Sequence, residues 1–200
     1  MEPIATIASV GAYVDALKHL GASNLERPFW FRGHKDESFR LTPSSLRNPK
    51  LASREAVMLK RFMQDAQSFL VDAPSTHWEW LFLGQHHGIP TRLLDWTENA
   101  LVGLFFACEP SPATLEGMPP VNGDVWILLP TRLNEAMNSW RGIHPEDLPM
   151  FGVDETLNKY HPLPISNAPP QESRKPVAAL ASRNFSRISN QWGTFTITDN

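Results

Sequence analysis

From Ile7 to Leu20, Val10, Val14 and Leu17 recur at helical spacing, with Ser9 placed to cap and Gly21 to stop, so the pattern predicts a first helix packed on the surface. The run Pro28 to Arg32 is too short and aromatic for a helix and ends at Gly33, which predicts a buried strand delivering Arg32 at its end. Between Ser53 and Leu70, the positions Leu59, Phe62, Met63, Ala66 and Phe69 describe one apolar helical face. Thr76 is an acceptable N-cap for a further helix that carries Trp78, Leu81 and Phe82 as far as Gly88. Ile89 to Trp96 then reads as a short strand, with proline at its start, where a missing N–H donor is tolerated.

Ala100 to Cys108 is apolar nearly all round, so it predicts a helix deep in the core, capped by Asp95 or Thr97, with Cys108 as an inert core thiol. Pro110 to Gly123 reads as a loop, Asp124 to Leu129 as a strand bounded by Pro130, and Thr131 to Trp140 as a short helix. Prolines at 162, 164, 169, 170 and 176 make His161 to Pro176 extended or irregular, a candidate functional loop. Val177 to Ala181 and Thr194 to Thr198 read as the last strands. With no internal repeat, residues 1–200 are expected to form a single α+β domain, a small central sheet flanked by helices.

Composition narrows the partners. The 42% hydrophobic and 20% charged make-up, with 11 Phe and 7 Trp, is enough for a proper core at this length. A net charge of -3 and a pI near 6.2 give no global attraction to phosphate backbones or anionic membranes, so any nucleic-acid contact needs a local patch. One cysteine rules out an internal disulfide. The first twenty residues hold no basic leader before an apolar run, and the expectation is a cytoplasmic protein without a membrane segment.

Phosphate-binding GxxxxGK[ST], dinucleotide GxGxxG, GxSxG and HExxH signatures are absent, and the adjacent pair His86-His87 has the wrong spacing for two ligands on one helical face, so no metal site is expected. Arg32 follows three large apolar residues; it is either salt-bridged to a carboxylate or a guanidinium fork for a phosphate, carboxylate or ribose, with Gly33 permitting close approach. The stretch from Glu79 to Thr97 gathers Gln, His, Arg, Asp and Thr. Arg92 and Asp95, three apart on a strand, point to opposite faces and each needs another partner. Two readings stay open: Asp95 and Thr97 cap the next helix while Arg92 bridges to Glu79, or these groups act directly in catalysis.

Trp30-Phe31-Arg32-Gly33, Gln85 through Thr97 (QHHGIPTRLLDWT) and Gln191-Trp192-Gly193-Thr194-Phe195 closely resemble the three blocks of the FRG family, named for its aromatic-Arg-Gly tripeptide. Members of that family are often longer, which leaves open that this chain is truncated at its C-terminus. A weaker resemblance, in the order of an aromatic-Arg-Gly strand, a hydroxyl residue before an apolar helix and a late Glu or Gln, is to arginine-serine-glutamate ADP-ribosyltransferases.

The resemblance implies an ADP-ribosyltransferase-like fold and NAD as substrate, used for ADP-ribosyl transfer to a protein or nucleic-acid acceptor or for NAD hydrolysis, in a bacterial or phage-linked effector. It implies Arg32, Asp95, Thr97 and Gln191 as catalytic groups, which their places at strand ends near glycines would bring around one cleft, and Arg32, Gly33, His86, Arg92 and Thr97 as NAD-binding groups. Gln191 carries no charge, so Asp95 or Glu98 would supply the anion that a ribosyl oxocarbenium requires. The alternatives are a non-catalytic nucleotide or nucleic-acid binding module, and a nuclease-like hydrolase using Asp95, His86 and Glu79.

Overall fold

Helix α1 (Val10–His19) begins where the Ser9 side chain accepts from the Ala12 N–H, and Gly21 follows at a φ of 70°. Tyr13 is its one buried residue, so it is the surface helix its pattern predicts. The computed structural model describes residues 2–21, 28–110, 121–140, 142, 144, 146–165, 175–183 and 186–199. The middle of the expected Pro110–Gly123 loop (111–120) and most of the proline-rich stretch (166–174) lie outside them.

Strand β1 (Trp30–His34) runs two residues further than expected, and Arg32 sits in its middle. A short α2 (Pro49–Ala52), capped by Asn48, precedes α3 (Glu55–Ala66). Helix α3 ends before Phe69, which is exposed, and the face it buries centres on Glu55 and Leu59. Helix α4 (His77–His86) starts in a full capping box: Thr76 accepts from the Glu79 N–H while the Glu79 carboxylate accepts from the Thr76 N–H. There follow β2 (Leu93–Thr97), α5 (Ala100–Ala107), β3 (Asp124–Leu128), α6 (Pro130–Met137), β4 (Val177–Ala179), α7 (Ser186–Asn190) and β5 (Gly193–Ile197).

The strands form one five-stranded sheet in the order β3-β1-β2-β5-β4, antiparallel at every step. Strand β2 pairs with β5 along its whole length, from Leu93 opposite Ile197 to Thr97 opposite Gly193. Its pairing with β1 is confined to Phe31 opposite Thr97. Alternation sorts the side chains onto two faces. On one face Leu93, Val177, Ala179, Phe195 and Ile197 pack with Leu59, Trp78, Leu81 and Phe82 of α3 and α4 and with Phe151, Leu157 and Tyr160. On the other, Trp30, Leu94, Trp96 and Ala178 pack with Leu133 of α6 and with Trp126 and Leu180.

Helix α5 overturns one expectation. Gly103 is its one buried residue; Leu101 and Phe105 are exposed, Phe105 by 63%, and Cys108 is exposed as well. Apolarity all round predicts burial on every side, but α5 rests on the outer half of the sheet and touches it along one stripe. Contact is close there because both surfaces are glycine: a Cβ on Gly33 would lie 2.0 Å from the Gly103 carbonyl oxygen. The helix is capped by Asn99, whose side chain accepts from the Leu101 N–H, so neither Asp95 nor Thr97 caps it. Among the described residues no helix is long and apolar enough to cross a membrane.

Candidate functional site

An open cleft of about 300 Å³ lies between the C-terminal turns of α4 and the β2–β5 ladder. Gln85, His86 and His87 come from α4 and its cap, Asp95 and Trp96 from β2, Gln191 from the turn before β5 and Thr194 from β5, over a floor that includes Phe82 and Phe195. Those two rings are stacked with centroids 5.0 Å apart and planes 7° from parallel. Asp95 is the one carboxylate among the described lining residues, and its side chain is 57% exposed.

Asp95 is held from both sides. The Gln85 side-chain amide donates to Oδ1 at 2.7 Å. Arg32, 18% exposed, donates from Nη1 to the Asp95 backbone carbonyl at 2.7 Å, and the same nitrogen lies 3.8 Å from Oδ2. Arg32 thus satisfies a carbonyl on the edge of β2 where β1 has parted from it. Of the two sequence readings of Arg32, the pairing to a carboxylate is the arrangement found.

Behind Arg32, its Nε donates at 3.0 Å to Nε2 of His34, which is therefore the unprotonated ring nitrogen. His34 Nδ1 lies 3.3 Å from Asp124 Oδ1. Burial, reinforced by the charges of Arg32 and Arg47, pulls the His34 imidazole down to about 4, so it is neutral at physiological pH. Burial also lowers Arg32, opposed by Asp95, and raises Asp124.

The remaining sequence candidates separate clearly. Gln191 and His86 line the cleft with Asp95. Thr97 is buried behind it: its hydroxyl donates to the Gln191 carbonyl and accepts from the Asn99 N–H at 3.0 Å, fastening the end of β2 to the turn before β5. Gly33 faces α5, so the close approach it permits is to a helix.

Arg92 bridges to Glu55, not to Glu79. Its backbone N–H and its Nε each donate to a Glu55 carboxylate oxygen at 2.9 Å, and its Nη1 pairs with Asp199. Burial raises the Glu55 carboxyl, opposed by Arg92. Glu79 is engaged at the N-terminal end of α4 by Ser75 and Thr76, at the far end of that helix from His86. Glu98 is paired with Arg183. Among the described residues no group of three His, Cys, Asp or Glu could hold a metal ion.

Sequence reasoning gave no role to Gln85, Thr91, Ser44, His34 or Glu55. Gln85 closes a helix and Asp95 lies on the next strand, with a turn between them, so neither the helical nor the strand period relates the two. Trp192, beside the cleft residue Gln191, has a φ of 50°, a conformation a bulky side chain adopts at a cost of about 1–2 kcal/mol. Its carbonyl accepts from the Glu98 N–H at 3.1 Å, and its ring carries the Arg183 guanidinium at 5.1 Å.

Among curated proteins and among solved structures nothing matches the chain. A family model does: the FRG domain model matches residues 27–114, a stretch that holds both the Trp30–Gly33 and the Gln85–Thr97 blocks, Arg32 and Asp95 included.

Proposed function

We propose that the cleft binds the nicotinamide-ribose end of NAD and cleaves its N-glycosidic bond, passing the ADP-ribosyl group to water or to an acceptor. An ADP-ribosyltransferase-like relation of the fold belongs to this proposal. The observation that carries it is the Asp95 carboxylate, exposed in the cleft and oriented by Gln85 and Arg32.

When the C1′–N bond breaks, its electron pair leaves with neutral nicotinamide and positive charge develops on the ribose as an oxocarbenium. Water or an acceptor hydroxyl or amine then attacks C1′ and releases a proton. A fixed carboxylate stabilises that charge more in the transition state than in the ground state, as in glycoside hydrolysis. The C-terminal turns of α4 face the same cleft, and the negative end of a helix dipole favours a cation there. Arg32 holds Asp95 in place, and Gln191, an amide lining the cleft, replaces the usual glutamate.

The test is nicotinamide release from NAD by the wild-type domain and by Asp95→Asn. The expected result is turnover that falls about 10²-fold in the variant with little change in melting temperature, the range typical of losing one preorganised electrostatic group. Full turnover in the variant removes Asp95 from the reaction.

A second reading, nucleotide binding without turnover, is favoured by the pairing of Asp95 itself. Its carboxylate already has a donor on Oδ1 and a guanidinium near Oδ2. Saturable NAD binding with no nicotinamide release from wild type selects this reading.

A further inference from the structure

Gln85 has an orientation that can be read from its partners. A carboxylate only accepts hydrogen bonds, so the end of Gln85 facing Asp95 Oδ1 at 2.7 Å must be the NH₂ group. The carbonyl end then faces Thr91, whose hydroxyl donates to Oε1 at 2.5 Å. That hydroxyl has no second proton, and its oxygen accepts from the Leu93 N–H at 3.3 Å. Thr91 is fully buried and is itself fixed: its N–H donates to Ser44 Oγ at 3.1 Å, and Ser44 Oγ donates to the Thr91 carbonyl at 3.3 Å. An amide flip at Gln85 would set its carbonyl against a carboxylate and would take from the Thr91 hydroxyl proton the Oε1 acceptor it has here.

We propose that Gln85 is a positioning residue for Asp95 and that Thr91 is the lock on its amide, so that a one-way hydrogen-bond chain from the Thr91 hydroxyl through Gln85, with Ser44 holding the Thr91 backbone, sets the carboxylate presented in the cleft. The proposal rests on reading Asp95 as the carboxylate that faces the ligand. A merely structural chain would fasten α4 to β2 and act on stability alone. A positioning chain leaves the fold standing and changes how the carboxylate meets its ligand.

The experiment uses the whole 200-residue chain as Thr91→Val, Thr91→Ser, Gln85→Leu and Asp95→Asn, compared with wild type by amide NMR and by nicotinamide release from NAD. In wild type, one Gln85 side-chain NH₂ proton is expected to be shifted downfield and slowed in exchange by its carboxylate partner. Asp95→Asn and Thr91→Val should abolish that signature, and Thr91→Ser should restore it.

In turnover, Gln85→Leu and Thr91→Val should lower kcat about tenfold or more while KM stays within about twofold and thermal unfolding shifts little, with Thr91→Ser again close to wild type. An unchanged Gln85 signature in Thr91→Val overturns the lock. Losses of kcat that track losses of stability, without rescue by serine, overturn the positioning role. If wild type releases no nicotinamide, the reading of NAD cleavage falls on its own, and the Gln85 resonances still decide whether the chain is directional.

Discussion

At the scale of single residues, the charged groups of the Gln85–Thr97 block divide by partner. Arg92 neutralises a carboxylate, Glu55, that is 1% exposed, and removing one member of such a buried pair leaves the other charged and alone. Arg92→Leu is therefore expected to destabilise the domain by about 3–5 kcal/mol in urea unfolding, and Glu55→Gln added to Arg92→Leu should recover part of that loss. A loss below about 1 kcal/mol in the single variant would show that Glu55 finds another partner or a proton. The three-residue separation of Arg92 from Asp95 correctly kept the two from pairing with each other. It could not name Glu55, which lies 37 residues earlier and reaches Arg92 only once α3 has docked.

At the scale of elements, the same limit recurs. Helical spacing found α1 and α3, whose apolar positions line one face, while a cap found α4 and short apolar runs bounded by Gly or Pro found the strands. Spacing failed on α5, where every position is apolar and the pattern has no preferred side. Packing then follows shape, and the Gly33–Gly103 contact selects the face. Gly33→Ala drives a methyl group into the Gly103 carbonyl, so a loss of about 3 kcal/mol or more is expected in chemical unfolding. Phe105→Ala, on the exposed stripe, should cost less than about 1 kcal/mol in the same assay. Equal losses in the two variants would place α5 deeper than this geometry has it. Asp95 and Gln191 were legible as neighbours of one cleft through their places at strand ends near glycines, whereas the roles of Thr97 and Gly33 as fastenings depend on the sheet register and on α5, which spacing does not encode.

At the scale of the whole molecule, buried histidines tie stability to pH. His161 is enclosed beside Trp78, with Nδ1 accepting from the Leu163 N–H at 3.1 Å and Nε2 3.0 Å from the His77 carbonyl, which it reaches as a donor. Burial lowers it to about 4, as it does His34. Between about 6.5 and 4 the unfolded chain takes up protons on these rings and the folded one does not, so their contribution is present above 6.5 and is lost as the pH falls. Glu55 and Asp124, raised by burial, act in the opposite sense, because the folded state takes up their protons first. Comparing urea unfolding of wild type and His161→Gln across this range isolates one histidine. The wild type should lose on the order of 3 kcal/mol more than the variant on going from pH 6.5 to 4, and parallel profiles would contradict the assignment. The order of the sheet also governs how the domain is made. Strand β2, which carries Asp95, pairs with β5, whose residues leave the ribosome about a hundred positions later. Until then its Leu93–Thr97 edge on that side has no partner strand, so nascent chains halted before Gly193 are expected to recruit chaperones or aggregate, and the cleft comes into being only with the last strand of the sheet.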